Sequence, residues 1–191
     1  MRLVLASSSP RRQELLRQLG LTFSVDPADL DEAVHPGEAP RAYVERLARA
    51  KAAAVAGRHP GAAVLAADTS VVVDERILGK PADEAEGRAM LGLLSGRTHE
   101  VLTAVAVQGA SLESLVVSTA VRFRPLSAAE IAWYVGTGEG RDKAGGYASQ
   151  ARAGAFITAM TGSSTSVIGL PLAEAVAMLE RAGVPMPWGS R

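Results

Sequence analysis

The stretch Leu3-Val4-Leu5-Ala6-Ser7-Ser8-Ser9-Pro10-Arg11-Arg12 passes from an apolar run through three serines into a proline and two arginines. A short apolar run bounded by polar residues reads as a buried strand. Ser9 is a good helix N-cap and Pro10 suits the first helical position. A helix is therefore expected from Pro10 to about Leu19, closed by Gly20 at a C-terminal capping position. Strand, loop and helix in that order point to an α/β fold.

Working outward, a polar loop runs from Asp26 to Pro40, after which Val44, Leu47, Ala48 and Val55 mark one face of a helix ending at Gly57. Ala62 to Ala67 and Val71 to Val73 read as two strand segments interrupted by Asp68-Thr69-Ser70, followed by a hairpin at Asp74-Glu75-Arg76 and a helix from Asp83 to Leu94. Strands are expected at Glu100 to Val107 and Leu115 to Phe123, antiparallel to each other because the connection is short. Ser127 and Glu130 fit a capping box, so a helix starts there and reaches Val135. A glycine-rich loop from Gly136 to Gly146 precedes a strand near Phe156 to Met160. The last helix, Leu172 to Ala182, is followed by a tail from Val184 to Arg191 expected to be loosely held. The sum is an α/β chain with a mixed sheet.

A length of 191 residues with 48% hydrophobic and 21% charged residues fits a single globular domain, with two lobes around a cleft as the alternative. Twenty basic and twenty acidic residues cancel, which leaves no global field to hold nucleic acid, so any anion site must be local. The absence of cysteine excludes disulfides, thiolate metal sites and a cysteine nucleophile. The apolar run after Arg2 is too short for a signal-peptide core, and no stretch approaches the length of a membrane span, so a cytoplasmic protein with no membrane partner is expected. There is no Gly-x-Ser-x-Gly, no Walker motif and no His-Glu-x-x-His, and His35, His59 and His99 do not suggest a triad.

Four features carry chemistry. Arg11 and Arg12 stand in the first turn of a helix, its positive end, where Asp or Glu is favoured. With the hydroxyls of Ser7 and Ser9 and free backbone N–H groups they make a phosphate cradle, the bland alternative being a solvated turn. Lys51 follows Val44 by seven residues and Leu47 by four, on the apolar stripe of its helix. Either it snorkels to the surface or it is a cation lining an anionic pocket. Asp68, a carboxylate between apolar segments, needs a metal or a cation as partner unless it caps a turn. The hairpin offers Lys80, fixed in Gly79-Lys80-Pro81. Asp29-Leu30-Asp31-Glu32 supplies carboxylates for a hard divalent cation, or is an ordinary solvated loop.

Taken together, Leu5-Ala6-Ser7-Ser8-Ser9-Pro10-Arg11-Arg12, Asp29-Leu30-Asp31-Glu32, Arg49-Ala50-Lys51-Ala52, Ala67-Asp68-Thr69, Leu78-Gly79-Lys80-Pro81, Leu94-Ser95-Gly96-Arg97-Thr98-His99-Glu100-Val101, Asp142-Lys143-Ala144-Gly145 and Val167-Ile168-Gly169-Leu170-Pro171-Leu172 resemble the Maf family, called septum formation inhibitors and also nucleotide pyrophosphatases. The resemblance covers about residues 3–183 in family order. It implies one domain over residues 1–191, an elongated mixed sheet with flanking helices around a central cleft, similar to the inosine triphosphate pyrophosphatases, and a homodimer. It also implies hydrolysis of a nucleoside triphosphate to monophosphate and pyrophosphate with Mg2+ or Mn2+. Carried onto this sequence, Asp68 is the catalytic aspartate, Arg12, Lys51 and Lys80 are the phosphate-binding cations, and Glu32 joins Asp68 in holding the metal.

Arg11, Thr69 and Gln150 look like the specificity residues of the branch acting on dTTP and UTP, with Ser7 and Ser9 on the substrate side of the loop. A carboxamide at position 150 accepts from N3–H of uracil or thymine and donates to O4. The chain departs from the family pattern in Gly145-Gly146-Tyr147-Ala148-Ser149-Gln150-Ala151 and at Ser164 and Ser166, which stand for a usual Tyr and Asn. Two other readings accompany this one: a nucleotide-binding regulator of septum formation, and a pyrophosphatase for 7-methyl-GTP or other non-canonical nucleotides.

Overall fold

The computed structural model describes residues 1–189. The sheet has the order β2-β1-β3-β5-β6-β7, with β4 paired to β3. β1 (Arg2–Leu5) is buried after its first residue and pairs in parallel with both β2 (Ser24–Val25) and β3 (Ala62–Val73). Parallel neighbours need a crossover. α1 (Pro10–Gln18) supplies the one from β1 to β2, and α2 (Pro40–Ala56) joins β2 to β3. As expected, Ser9 caps α1 by accepting from the Arg12 N–H, and Pro10 opens it.

β3 is one continuous strand of 12 residues, not two segments broken at Asp68-Thr69-Ser70. A ladder is built from backbone groups, which polar residues supply as well as apolar ones, so three polar side chains do not interrupt it. β4 (Arg76–Leu78) returns antiparallel to β3, with Val73 opposite Arg76. The two linking residues, Asp74 and Glu75, both have positive φ, 49° and 60°. That is the backbone of a two-residue hairpin turn, adopted here without glycine.

α3 (Glu84–Leu94), α4 (Ala128–Gly136) and α6 (Leu172–Arg181) fall where expected, and the Ser127 and Glu130 capping box is complete. β5 (Thr98–Gln108) and β6 (Leu112–Phe123) are neighbours joined through Gly109, Ala110 and Ser111 alone, and β7 (Ile157–Thr161) pairs antiparallel with β6. The sequence reading did not anticipate β2 or the short α5 (Ser164–Ile168). Neither is long enough to show a period.

Two compact units divide the chain. The first comprises residues 1–68, 103–117 and 169–191, of which 190 and 191 lie outside the described residues; the second comprises 69–102 and 118–168. β3, β5 and β6 contribute residues to each. In the first unit Leu16, Val44, Leu47, Val55, Leu65, Leu170 and Leu179 are buried. Of the tail expected to be loosely held, Val184 and Met186 are buried and Ser190 and Arg191 lie outside the described residues. The core of the second unit gathers Leu91, Leu94, Phe123, Tyr134, Tyr147 and Phe156. There Phe123 meets His99, Tyr147 and Phe156 edge to face at 5.0, 4.9 and 6.0 Å. Gly145, at φ 68°, packs so closely that a Cβ would lie 2.8 Å from Val71. Among the described residues no helix is long and apolar enough to cross a membrane.

Candidate functional site

The charged centre of the first unit is Lys51. α2 places it on the face that buries Val44, Leu47 and Val55, and only 8% of it is exposed. Its ammonium does not snorkel. It lies 2.7 Å from Glu32 Oε1 and 2.7 Å from Asp68 Oδ1, donating a hydrogen bond to the latter. Asp68 sits within β3 at 7% exposure, so the partner its buried charge demands is the ammonium of Lys51. Burial raises the pKa of the Asp68 carboxyl, opposed by the positive charges of Lys51 and Arg12 and assisted by the negative charge of Glu32. The carboxyl is thus shifted toward the range in which a carboxylate serves as a base near neutral pH.

Glu32 is half-exposed, yet its loop is strapped to α2. The Tyr43 hydroxyl donates to the Glu32 carbonyl at 2.9 Å. Arg46 grips Glu38 with two bonds, at 2.6 and 2.7 Å, and reaches the Ala33 carbonyl at 3.1 Å. Side chains from one face of one helix therefore hold the acidic loop at Glu32 and on its C-terminal side. Asp29 and Asp31 are on that loop; Asp31 is exposed and accepts from the Ala33 N–H. Sequence reasoning missed Tyr43 and Arg46, because nothing in their spacing says which loop carbonyl they bind.

Arg12 extends from the first turn of α1. Its Nε–H donates to the Gly169 carbonyl at 2.8 Å and its Nη1 to Ser7 Oγ at 3.1 Å. Ser7, itself buried, also accepts from the Ser9 N–H at 3.2 Å. Burial lowers the pKa of Arg12, with Asp68 and Glu32 pulling it up and Arg11 pushing it down. A guanidinium stays charged in spite of this. Arg11 is half-buried beside it. Two arginines and a lysine thus stand in the same unit as two carboxylates, one of them buried.

The remaining predicted residues belong to the second unit. Thr69, half-buried, follows Asp68 on β3; Lys80 is exposed after β4; Gln150 is exposed in the turn before a short 3-10 segment, Arg152–Phe156. A surface concavity of the same unit, lined by Pro81, Glu84, Arg88 and Arg141, contains none of the predicted site residues. Of the histidines, His35 is exposed, His59 lies 2.7 Å from Asp26, and His99 is buried against Tyr147.

Comparison with known proteins adds the following. The family model described as Maf-like protein matches residues 2–182. The dTTP/UTP pyrophosphatase of Myxococcus xanthus (strain DK1622) is 58% identical over 186 residues, covering 97% of this chain and 95% of that one. The dTTP/UTP pyrophosphatase of Symbiobacterium thermophilum is 55% identical, over 96% of this chain and 95% of that one. Among solved structures, the Ham1 protein of Staphylococcus aureus superposes with a TM-score of 0.54 at 16% identity, covering 94% of this chain and 100% of that one, a likeness of fold alone.

Proposed function

Since the chain belongs to the Maf family, we propose that it hydrolyses dTTP and UTP to the monophosphate and pyrophosphate. The substrate rests on relatives at 53–58% identity along nearly the whole chain that bear the name dTTP/UTP pyrophosphatase. The reaction type rests on one observation of geometry, the buried Asp68 carboxylate held 2.7 Å from the Lys51 ammonium.

In the proposed reaction Asp68 takes a proton from a water molecule that attacks the α phosphorus in line with the leaving pyrophosphate. Charge that builds on the pyrophosphate is met by Arg12, Lys51 and Lys80. Arg11, Thr69 and Gln150 are assigned to substrate selection, with the Gln150 carboxamide reading the N3–H and O4 edge of the base. Ser7 and Ser9 shape the phosphate loop.

The oxygen donors fit a hard divalent cation. Glu32 Oε1 and Asp68 Oδ1 already converge on a single positive charge, 2.7 Å from each. Among the described residues no group of three or more His, Cys, Asp or Glu could hold a metal. Two carboxylates suit Mg2+ or Mn2+, which complete their shells with water and phosphate oxygens. Such an ion supplies charge neutralisation at the phosphates and a more acidic water. We place the enzyme in the cytoplasm, as the sequence reading expects, and take it to be a homodimer, as the family resemblance implies.

The test is pyrophosphate release from dTTP, UTP, CTP and 7-methyl-GTP, with Mg2+ and with Mn2+. The expected ranking puts dTTP and UTP first. A preference for 7-methyl-GTP overturns the substrate, and nucleotide binding with no pyrophosphate release overturns the enzyme.

A further inference from the structure

We infer that Gly169 is a positioning residue for phosphate recognition, acting through its main-chain carbonyl on the guanidinium of Arg12. This rests on the reading above that Arg12 faces phosphate. A guanidinium recognises phosphate as a planar fork, so the orientation of its plane matters as much as its charge. Two acceptors that do not lie on one line fix that plane, and the partners of Arg12 include such a pair: the Gly169 carbonyl on Nε at 2.8 Å and Ser7 Oγ on Nη1 at 3.1 Å.

Each acceptor is itself fixed. Ser7 is 8% exposed and accepts from the Ser9 N–H as well, which ties its oxygen to the start of α1. Gly169 is followed by Leu170, which is fully buried, and by Pro171, which caps α6. Its own φ is 128°, a region that residues with a Cβ rarely adopt. Any other residue here must rotate the backbone, and with it the carbonyl that Arg12 holds. The glycine is required for where it aims an oxygen 157 residues along the chain from the arginine. A lysine at position 12 carries the same charge but has no fork to be aimed.

A double-mutant cycle between Gly169→Ala and Arg12→Ala tests this, read as kcat/KM for dTTP and as Kd for inorganic pyrophosphate, with Tm followed in parallel. If Gly169 acts through Arg12, Gly169→Ala lowers both affinity and kcat/KM about tenfold or more in the natural background and less than about twofold once Arg12 is gone. A glycine needed only for folding costs the same factor in both backgrounds, and that result overturns the inference. If Gly169→Ala does not fold, Arg12→Lys decides, because it keeps the charge and removes the Nε–H that the Gly169 carbonyl accepts from; a pyrophosphate Kd within about twofold of wild type then overturns the inference, and a loss of about tenfold or more supports it. Wild-type protein that binds pyrophosphate but cleaves neither dTTP nor UTP refutes the proposed reaction, while the pyrophosphate cycle still judges the role of Gly169. Failure to bind pyrophosphate at all removes the phosphate site and this inference with it.

Discussion

Lys51 Nζ stands 2.7 Å from Asp68 Oδ1, and both side chains are about nine-tenths buried. Removing either partner has different consequences. Asp68→Asn takes away a buried charge whose pKa burial has already raised, and leaves Lys51 its second carboxylate, Glu32. Lys51→Met leaves the Asp68 carboxylate buried without its ammonium, which is the costly half of a broken pair, about 3–5 kcal/mol in comparable cases. Asp68→Asn is therefore expected to lose kcat by about two orders of magnitude or more with little change in Tm. Lys51→Met is expected to lose both activity and Tm. Thermal unfolding and dTTP hydrolysis of the two variants check the ordering; equal Tm values contradict it.

The strap on the acidic loop makes a graded prediction. Tyr43→Phe removes the hydrogen bond to the Glu32 carbonyl but no charge, a net loss of about 1 kcal/mol. Glu32→Gln removes the carboxylate itself. If Glu32 holds a divalent ion, Glu32→Gln raises the Mn2+ concentration needed for half-maximal activity strongly, and Tyr43→Phe raises it several-fold. A Tyr43→Phe variant with an unchanged Mn2+ titration shows that the loop keeps its place without the tyrosine.

In the proposed function, charge recognition falls to Lys80 and base recognition to Gln150, two different residues of the second unit. Lys80→Ala is expected to lower kcat/KM for every triphosphate alike, because a phosphate contact does not see the base. Gln150→Glu keeps the shape but offers only acceptors to O4, so it is expected to weaken dTTP and UTP about tenfold per lost hydrogen bond and to change the ranking against CTP. Kinetics over the nucleotide panel distinguish the two. A Gln150→Glu enzyme with the wild-type ranking removes that residue from base selection.

How much of this was legible in the sequence differs by element. α1 and its cap were readable because Ser9-Pro10 is a local signal, and the stripe on α2 exposed Lys51 as out of place among Val44, Leu47 and Val55. The continuity of β3 through Asp68 was not readable, because the ion pair that makes a mid-strand carboxylate tolerable comes from α2, 17 residues earlier. The partners of Arg12 were hidden for the same reason: a main-chain carbonyl leaves no trace in residue identity beyond the glycine that aims it. Local signals reveal elements and anomalies, and long-range pairings explain the anomalies.

Acid stability isolates the one buried histidine. His99 is 2% exposed, its Nε2 shares a hydrogen bond with the Tyr147 hydroxyl at 2.8 Å, and its Nδ1 is buried without a partner among the described residues. Burial lowers its pKa from 6.5 to about 4. Above pH 6.5 the ring is neutral whether the chain is folded or not, so it contributes nothing to pH dependence. Between about 6.5 and about 4 the unfolded chain takes up a proton that the folded chain refuses, and stability falls as pH falls, by about 3 kcal/mol over the whole window. Asp26, Glu38 and Glu130, held at about 2 by their arginine, histidine and backbone partners, lose their contribution only below the ordinary carboxylate range. Asp68, with its pKa raised, works in the opposite sense, but equally in any variant that keeps it. His99→Gln retains a polar group to meet Tyr147 and cannot titrate. Urea unfolding at intervals from pH 7 to pH 4.5 is expected to show wild-type stability declining by about 2 kcal/mol or more relative to His99→Gln. Parallel curves for the two proteins would mean that another group senses the acid.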